Sequence, residues 1–321
     1  MTTVMIILSV LFILTTLIPH LPGQHWLIRV WEFPRLQQAF VLAVLSLFWC
    51  FWYVDEPVLA AWMQAGCVIA FAYQLIWVIP YTPLWPTEVN QYRGNDDSQT
   101  ISILTSNVLM PNDNYQALID LVEQHQPDIL VTLESNAAWE AALEVLHDDY
   151  PHRLFCPLEN LYGMHLYSRK PFSNEKIRFI IEGDVPSMEI WTTINQQDVK
   201  IHFVHPKPPS PTENKSAEPR DRELTVVGKE MAKLDAPAIV TGDLNDVAWS
   251  PTTRDFRKIS GMSDPRRGRG FFNTFHADYP PLRWPLDHVF HSSHFELVHI
   301  KRMPSIGSDH FPLLTTLRLK P

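Results

Sequence analysis

Ala238-Ile239-Val240-Thr241-Gly242-Asp243-Leu244-Asn245 is the stretch on which the reading of this chain turns. A short apolar run ends in an acid and an amide. Its length and apolar content predict a buried strand over Ala238–Thr241. Open α/β sheets carry their chemistry at such strand ends. Residues two apart on a strand project the same way, so Asp243 and Asn245 are expected side by side. A turn with an Asx cap would explain the pair without chemistry. A second motif, Ser308-Asp309-His310, stands before the apolar Leu313-Leu314 and sets an acid beside a histidine. With Glu134 upstream, these groups suit phosphoester hydrolysis assisted by a divalent metal.

Strand and helix patterns alternate around these motifs. Strands are predicted at Ile101–Val108, Asp128–Leu133, Leu161–Tyr167, Lys176–Ile181, Met188–Ile194 and Val199–Val204. After the central motif they recur at Pro285–Phe290, Glu296–Arg302 and Leu313–Leu319. Helical spacing appears at Tyr115–Gln124, Ala137–Leu146 and Arg220–Leu234. Strands outnumber helices, yet helices punctuate them. The expected fold class is α/β (α+β), a four-layer sandwich of two packed mixed sheets flanked by helices. No internal repeat is present, and the one biased tract is Pro206–Pro211.

The N-terminal part reads differently. Val4–Ile18, Phe40–Val54 and Val58–Ile79 are almost wholly apolar. A spanning helix needs about 20 such residues. Trp26, Trp31, Trp52, Tyr53, Trp77, Tyr81 and Trp85 cluster at the ends, as interfacial belts do. The first stretch lacks the basic start and small-residue cleavage site of a signal peptide, so it reads as a retained helix. The expected organisation is a membrane region of about three transmembrane helices over residues 1–87, a linker over 88–100 and a catalytic domain over 101–321. Pro80–Asp97, rich in proline and then polar, carries that transition.

The net charge is −9, and only Arg29, Arg35, Glu32, Asp55 and Glu56 are charged before Glu88, so the acidic excess lies in the C-terminal region. That balance weighs against strong nonspecific nucleic-acid binding, which rests on basic surface. Cys50, Cys67 and Cys156 form neither a disulfide framework nor a paired zinc motif.

Asn107 ends Thr-Ser-Asn-Val, Glu134 ends Val-Thr-Leu-Glu, and His205 follows Ile201-His202-Phe203-Val204. Asp287 sits in Leu-Asp-His-Val-Phe. Each alone would pass for a turn residue, a helix-start acid or a strand-end histidine. In this order, together with Asp243, Asn245, Asp309 and His310, they resemble the endonuclease/exonuclease/phosphatase (deoxyribonuclease-like) superfamily across residues 101–321. The resemblance implies Mg²⁺ or Mn²⁺ held by Glu134 and Asn107, with Asp309 a further candidate ligand. A hard cation prefers such oxygen donors. It implies that Asp243 orients the attacking water, that Asn245 and His205 donate to the phosphate, and that His310 takes the water's proton. His310 would be paired with Asp287 or Asp309; both remain open.

Softer candidates surround this set. Gly163-Met164-His165-Leu166-Tyr167-Ser168-Arg169 resembles the family's strand before a Ser-Arg turn, with His165 and Tyr167 as candidate site neighbours. Arg266, Arg267 and Arg269 form a basic loop that could grip a phosphate or simply lie in solvent. His288, His291 and His294 read better as a strand running into a loop than as a zinc site.

The expected function is a membrane-anchored, divalent-metal-dependent phosphohydrolase cleaving a phosphoester or pyrophosphate bond, possible substrates including a lipid-linked one. The alternatives are a membrane-tethered nuclease and a noncatalytic binding module. The expected partners are the lipid bilayer and a phosphorylated substrate, either lipid phosphate or nucleic acid, with no obligate protein partner evident. The expected location is the inner cell membrane, multi-pass. Arg29 and Arg35 in the first loop would put that loop and the catalytic domain in the cytoplasm. Similarity to bacterial three-helix members acting on polyprenyl pyrophosphate implies the outer face instead.

Overall fold

Alternating apolar residues build two sheets in the computed structural model, which describes residues 2–52, 55–94 and 98–321. Tyr53 and Val54 of the second apolar stretch, and positions 95–97 of the linker, lie outside the described residues. The strands, numbered in chain order, are β1 (Thr100–Asn107), β2 (Ile129–Leu133), β3 (His152–Cys156), β4 (Met164–Ser168), β5 (Phe172–Arg178) and β6 (Ser187–Ile194). They continue with β7 (Gln197–Val204), β8 (Ala238–Asp243), β9 (Asp287–His291), β10 (Phe295–Arg302) and β11 (Leu313–Leu319). One sheet has the order β10-β11-β1-β2-β4-β3, the other β5-β6-β7-β8-β9. Both are mixed: β1 runs parallel to β2, and β7 parallel to β8.

The layers follow from the two-residue period of a strand. Ile101 and Ile103, Ile129 and Val131, Ile201 and Phe203, and Ile239 and Val289 all point between the sheets into one buried core. Their neighbours Leu104 and Leu130 point outward onto α5 (Tyr115–His125) and onto Trp139 of α6 (Ala137–Ala142). Val240 and Phe290 point outward onto α7 (Glu218–Ala232) and α8 (Pro251–Ser260). Each fully buried aliphatic side chain contributes about 1.5–3 kcal/mol, so slipping the register of one central strand would be prohibitive.

Three elements depart from expectation. β3 is half-buried throughout, which blurs its alternation. α8 is set by its ends: Ser250 caps it by accepting from the Thr253 N–H at 3.0 Å, and Gly261 closes it with φ +69°. Its short apolar face hid that helix. The strand expected at Lys176–Ile181 runs instead over Phe172–Arg178, because a bulge between Ser173 and Lys176 extends its pairing with β6.

The N-terminal helices are α1 (Thr2–Leu17), α2 (Trp26–Arg29), α3 (Arg35–Phe51) and α4 (Pro57–Val78). Thr2–His20 and Pro57–Tyr81 are long and apolar enough to cross a membrane. Trp26–Glu32 with Arg35–Phe51, bent by 68°, makes a third if the pair is one span. The bundle buries Leu42, Leu45, Cys67 and Ala70 together with several polar groups, and its outside is apolar. Trp49 donates to Ser9 Oγ at 2.8 Å, and Gln74 joins Thr16, Gln38 and Arg35 in its interior. Phe40, Trp62 and Ile69 stand at least 70% exposed on its surface.

This bundle is docked on the sheets. Trp26 N–H donates to Lys215 O at 2.9 Å, Trp249 Nε1 to Glu32 O at 2.8 Å, and Tyr81 Oη to Ala248 O at 2.6 Å. Arg29 pairs with Glu32 and Asp221, each at 3.2 Å, and Arg35 donates to Gln74 at 3.0 Å. Both arginines read as orientation signals are thus held by internal partners. The stretch read as a linker is also packed as far as Tyr92. Val89 enters the inter-sheet core, Leu297 N–H donates to Asn90 O at 3.0 Å, and Glu88 binds Arg257 and Arg267.

Candidate active site

The inward-facing rows of four strands end in polar residues at one edge of the core. Ile101, Ile103 and Thr105 lead to Asn107; Ile201 and Phe203 lead to His205; Ile239 and Thr241 lead to Asp243; and Val289 leads back to Asp287. Thr105 and Thr241 meet through their hydroxyls at 2.9 Å, tying the sheets together just beneath the site. The alternation that fills the core therefore also aims these groups at one another.

Asn107 Nδ2 donates to Glu134 Oε1 at 2.8 Å and to Asp243 Oδ2 at 3.2 Å, while its Oδ1 accepts from Leu109 N–H at 3.1 Å. The amide thus bridges two carboxylates as a donor. Binding a cation through Oδ1 would need the flipped orientation. Glu134, one residue past β2, has φ +59°. Burial pushes its carboxyl up to about 7, against the Asn107 hydrogen bond and nearby His310. Burial also raises Asp243, opposed by His310.

Asn245 reaches the site by a different route from the one expected. β8 stops at Asp243, and Asn245 turns with φ +50°. Its N–H donates to Asp243 Oδ1 at 2.8 Å, and its Nδ2 to Pro206 O at 3.0 Å. An Asx turn, rather than strand period, places it. Arg220 of α7 holds the turn by donating to Asn245 O at 2.8 Å. Gly242 has φ +146°, and a Cβ there would lie 1.9 Å from Val204 O, so the approach of β8 to β7 excludes any side chain.

His310 Nδ1 lies 2.8 Å from Asp287 Oδ2, and Nε2 lies 3.5 Å from Asp243 Oδ2. Of the two candidates, Asp287 is the partner of His310. Burial opposes charge on the ring, but Asp243 and Asp287 override it and hold the imidazole at about 10. Asp309 instead faces the cavity that Glu134 lines, with Ser308 Oγ 3.4 Å away. His205 is buried with Nε2 at 3.8 Å from Asp243, and burial depresses it to about 4, leaving a neutral ring.

Several softer candidates lie elsewhere. Arg266 is fully buried against Asp264 and His288, Arg267 pairs with Glu88, and Arg269 donates to Val89 O, so none of the three is free for phosphate. They form the scaffold behind the turn, because His288 also meets Asp246 O at 2.9 Å. His291 contacts Ser292 O, and His294 contacts Ser292 Oγ; with His288 held as above, the three histidines have separate partners. His165 and Tyr167 pack with Phe155 in the first sheet, outside the cavity. The neighbour in that motif is Tyr162, whose ring lies 5.2 Å from His205 and whose hydroxyl bonds to Glu213.

A cavity of about 680 Å³ opens above these groups. Glu134, His205, Asn245, Asp309 and His310 line it together with Trp31 and Phe33, from the connection between α1 and α3, and with Phe275, Trp284 and Leu286. Leu109, Glu134, Leu161 and Asn245 all line it with φ between +50° and +69°, a concentration of backbone strain usual at functional sites. Among the described residues no lysine or arginine lines it, whereas Glu134, Glu213 and Asp309 do. Nothing in the sequence pattern pointed to Trp31 or Phe33; Tyr162 could have been found from its place beside the Gly163 motif.

The donor set fits a hard divalent cation: carboxylates of Glu134 and Asp309 with the Asn107 amide near and, among the described residues, no lysine or arginine in the lining to neutralise them. Asp243, Asp287 and His310 also bring donor atoms within 4.8 Å, but His310 already occupies the space between those carboxylates through its two close approaches.

No curated protein sequence matches the chain. Similar solved structures include D. rerio TDP2 complexed with single strand DNA product, at 17% identity over 68% of this chain and 99% of that one, TM-score 0.58. The human Nocturnin catalytic domain with bound sulfate shares 15% identity over 69% and 94% of the two chains, TM-score 0.55. Sphingomyelinase C from Streptomyces griseocarneus shares 15% over 68% and 99%, TM-score 0.51. At these identities the likeness is one of fold. The sequence profile described as the Endonuclease/Exonuclease/phosphatase family matches residues 104–310, from the middle of β1 to His310 itself. With ten of the eleven strands inside or overlapping that match and every strand-end group of the site within it, the chain belongs to the endonuclease/exonuclease/phosphatase family.

Proposed function

We propose that this metal-dependent hydrolase of phosphoester bonds acts on a lipid-linked phosphoester or pyrophosphate while anchored in a cell membrane by its N-terminal helices. The carrying observation is the cavity. It holds the reactive groups, and Trp31 and Phe33 of the helical region line it as well. A lining that combines reactive polar groups with aromatic and aliphatic side chains suits an amphiphile. The absence of lysine and arginine from the lining, among the described residues, weighs against a nucleic-acid backbone, whose binding rests on such groups.

Glu134 and Asp309, with Asn107 turned to present its oxygen, would hold Mg²⁺ or Mn²⁺, which neutralises charge on the phosphoryl oxygens. The rest falls to the chain itself. Asp243 aligns the attacking water. Its proton passes to the Asp243–His310 pair, whose closest atoms are 3.5 Å apart and which act as one coupled acceptor. Asp287 fixes the ring through Nδ1. His205 and Asn245 stand ready to donate to the phosphate as charge develops.

The test uses full-length protein in detergent with Mg²⁺, offered a long-chain lipid pyrophosphate, a short-chain analogue and single- and double-stranded DNA. The expected result is turnover of the long-chain substrate, loss on adding EDTA, and a KM raised about tenfold or more by Trp284→Ser on the long chain alone. Glu134→Gln should weaken metal dependence at least ~10-fold, the cost typical of even outer-shell partners. DNA cleavage without lipid turnover would instead make the protein a tethered nuclease. Metal-independent binding with no turnover of any substrate would leave the noncatalytic module.

A further inference from the structure

A second cleft, of about 710 Å³, lies where α4 meets the sheets and shares no lining residue with the first. Ile76 and Trp77, in the last turns of α4, form one wall with Trp85. The other wall is α8, which buries Thr252, Thr253 and Phe256 and turns Arg254 and Lys258 outward. These two are four residues apart and so stand on one helical face. Arg257 and Arg267 also line the cleft, but Glu88 holds both at 2.6 Å. Among the described residues, neither Arg254 nor Lys258 has an acidic partner at ion-pair distance, although Asp255 lines the same cleft. Arg254 and Arg35 both lie close to the Trp77 ring, at 4.5 and 4.4 Å from its centroid, which gathers positive charge at that corner.

Position gives this charge its meaning. The apolar helix Pro57–Tyr81 ends here, so its Trp77 and the following Trp85 sit at the level of a bilayer's headgroups. Ile76 is 68% exposed and faces away from the bundle. Cations at the headgroup level, above an exposed aliphatic surface, match an anionic amphiphile in both halves. We propose that this cleft binds the headgroup of an anionic phospholipid, its phosphate on Arg254 and Lys258 and its upper acyl region against Ile76 and Trp85. Bound there, the lipid would hold α8 against the bilayer and fix the height of the catalytic cavity over the membrane. The proposal rests on the spanning role of α4, not on the substrate assigned to the active site.

Native mass spectrometry of the full-length protein released from mixed phosphatidylglycerol–phosphatidylcholine nanodiscs tests it. The expected result is retention of phosphatidylglycerol over phosphatidylcholine, reduced on the order of tenfold in Arg254→Gln/Lys258→Gln. Hydrolysis of a soluble chromogenic phosphodiester should be unchanged in that variant. The charge-preserving Arg254→Lys/Lys258→Arg pair should restore retention. Lys258→Gln alone, at an exposed position, carries the same expectation at smaller size should the double variant fail to fold. Equal retention of the two lipids, or undiminished retention in the charge-removing variants, would overturn the proposal. So would displacement by millimolar inorganic phosphate, which would mark a site for a soluble anion.

Discussion

Two clusters built against the second sheet have the same composition and opposite characters. Asp243, Asp287 and His310 bring an acid, an acid and a histidine within 4.8 Å; so do Glu189, Glu230 and His202. Around Glu189 the chain supplies fixed cations: Lys200 at 2.9 Å, with Lys176 and Arg178 at 3.2 Å. Burial is the main influence on His202 and depresses it to about 4, while those neighbours hold Glu189 down at about 2 despite its own burial. Among the described residues no lysine or arginine pairs with Asp243, and the only positive charge beside it is the imidazole of His310. Acid and histidine in proximity do not make a site. What distinguishes a site is charge that the fold leaves uncompensated, to be met by a cation, a substrate or a proton in transit.

The sharpest break of that comparison is by substitution in the uncompensated cluster. Asp243→Asn or His310→Ala is expected to lower kcat by about 10²–10⁴-fold, the range for removing a proton-transfer group. The melting temperature should hold or rise in Asp243→Asn, where a buried charge is removed, and fall in His310→Ala, which strips Asp243 and Asp287 of their imidazolium. A folded Asp243→Asn enzyme with wild-type kcat on a soluble phosphodiester would end the assignment. In the compensated cluster the pattern should invert. Glu189→Gln is expected to leave kcat within about twofold while lowering stability by about 1–3 kcal/mol, the worth of its hydrogen bonds to charged groups. Denaturant melts read alongside kinetics check both. A Glu189→Gln variant that loses activity at full stability would erase the distinction.

Much of this was legible in the sequence because the site is an extension of the core. The rows that place Ile101 and Ile239 between the sheets also aim Asn107 and Asp243, so the same alternation carries fold and site. Asn245 was found by its motif but for the wrong geometric reason, since a turn residue with positive φ obeys no strand period. The pairing of His310 with Asp287 was undecidable in one dimension, because they stand 23 positions apart with the rest of β9 and the whole of β10 between them. Trp31, Phe33 and Trp284 were illegible as cavity walls. They come from separate loops whose meeting depends on how the N-terminal bundle docks, and no local pattern records that. The arginines at 266, 267 and 269 misled for a related reason: a loop rich in charge looks solvated until its buried acids, Asp264 and Glu88, are known.

The finest test of the two clusters is the sign of their pH dependence, measured by thermal melts with EDTA present. His202 is depressed from 6.5 to about 4, so the unfolded chain binds its proton first. Its contribution is intact above about pH 6.5 and is lost as the pH falls toward 4. His310 is raised from 6.5 to about 10, so the folded chain binds the proton more tightly. Its contribution is complete below pH 6.5 and is lost as the pH rises through about 10. His202→Gln should therefore flatten the acid limb of stability against pH by at most about 3 kcal/mol, and His310→Gln the alkaline limb by at most about 5 kcal/mol. His165, His288 and His291 are depressed like His202, so its removal trims the acid limb without abolishing it. The His310 effect has no such companions among the described histidines, and adding Mg²⁺ should shrink it. A divalent cation beside Glu134 and Asp309 would offset the carboxylate field that holds the proton on His310. If the two variants flatten the same limb, the clusters do not differ in the way their surrounding charges require.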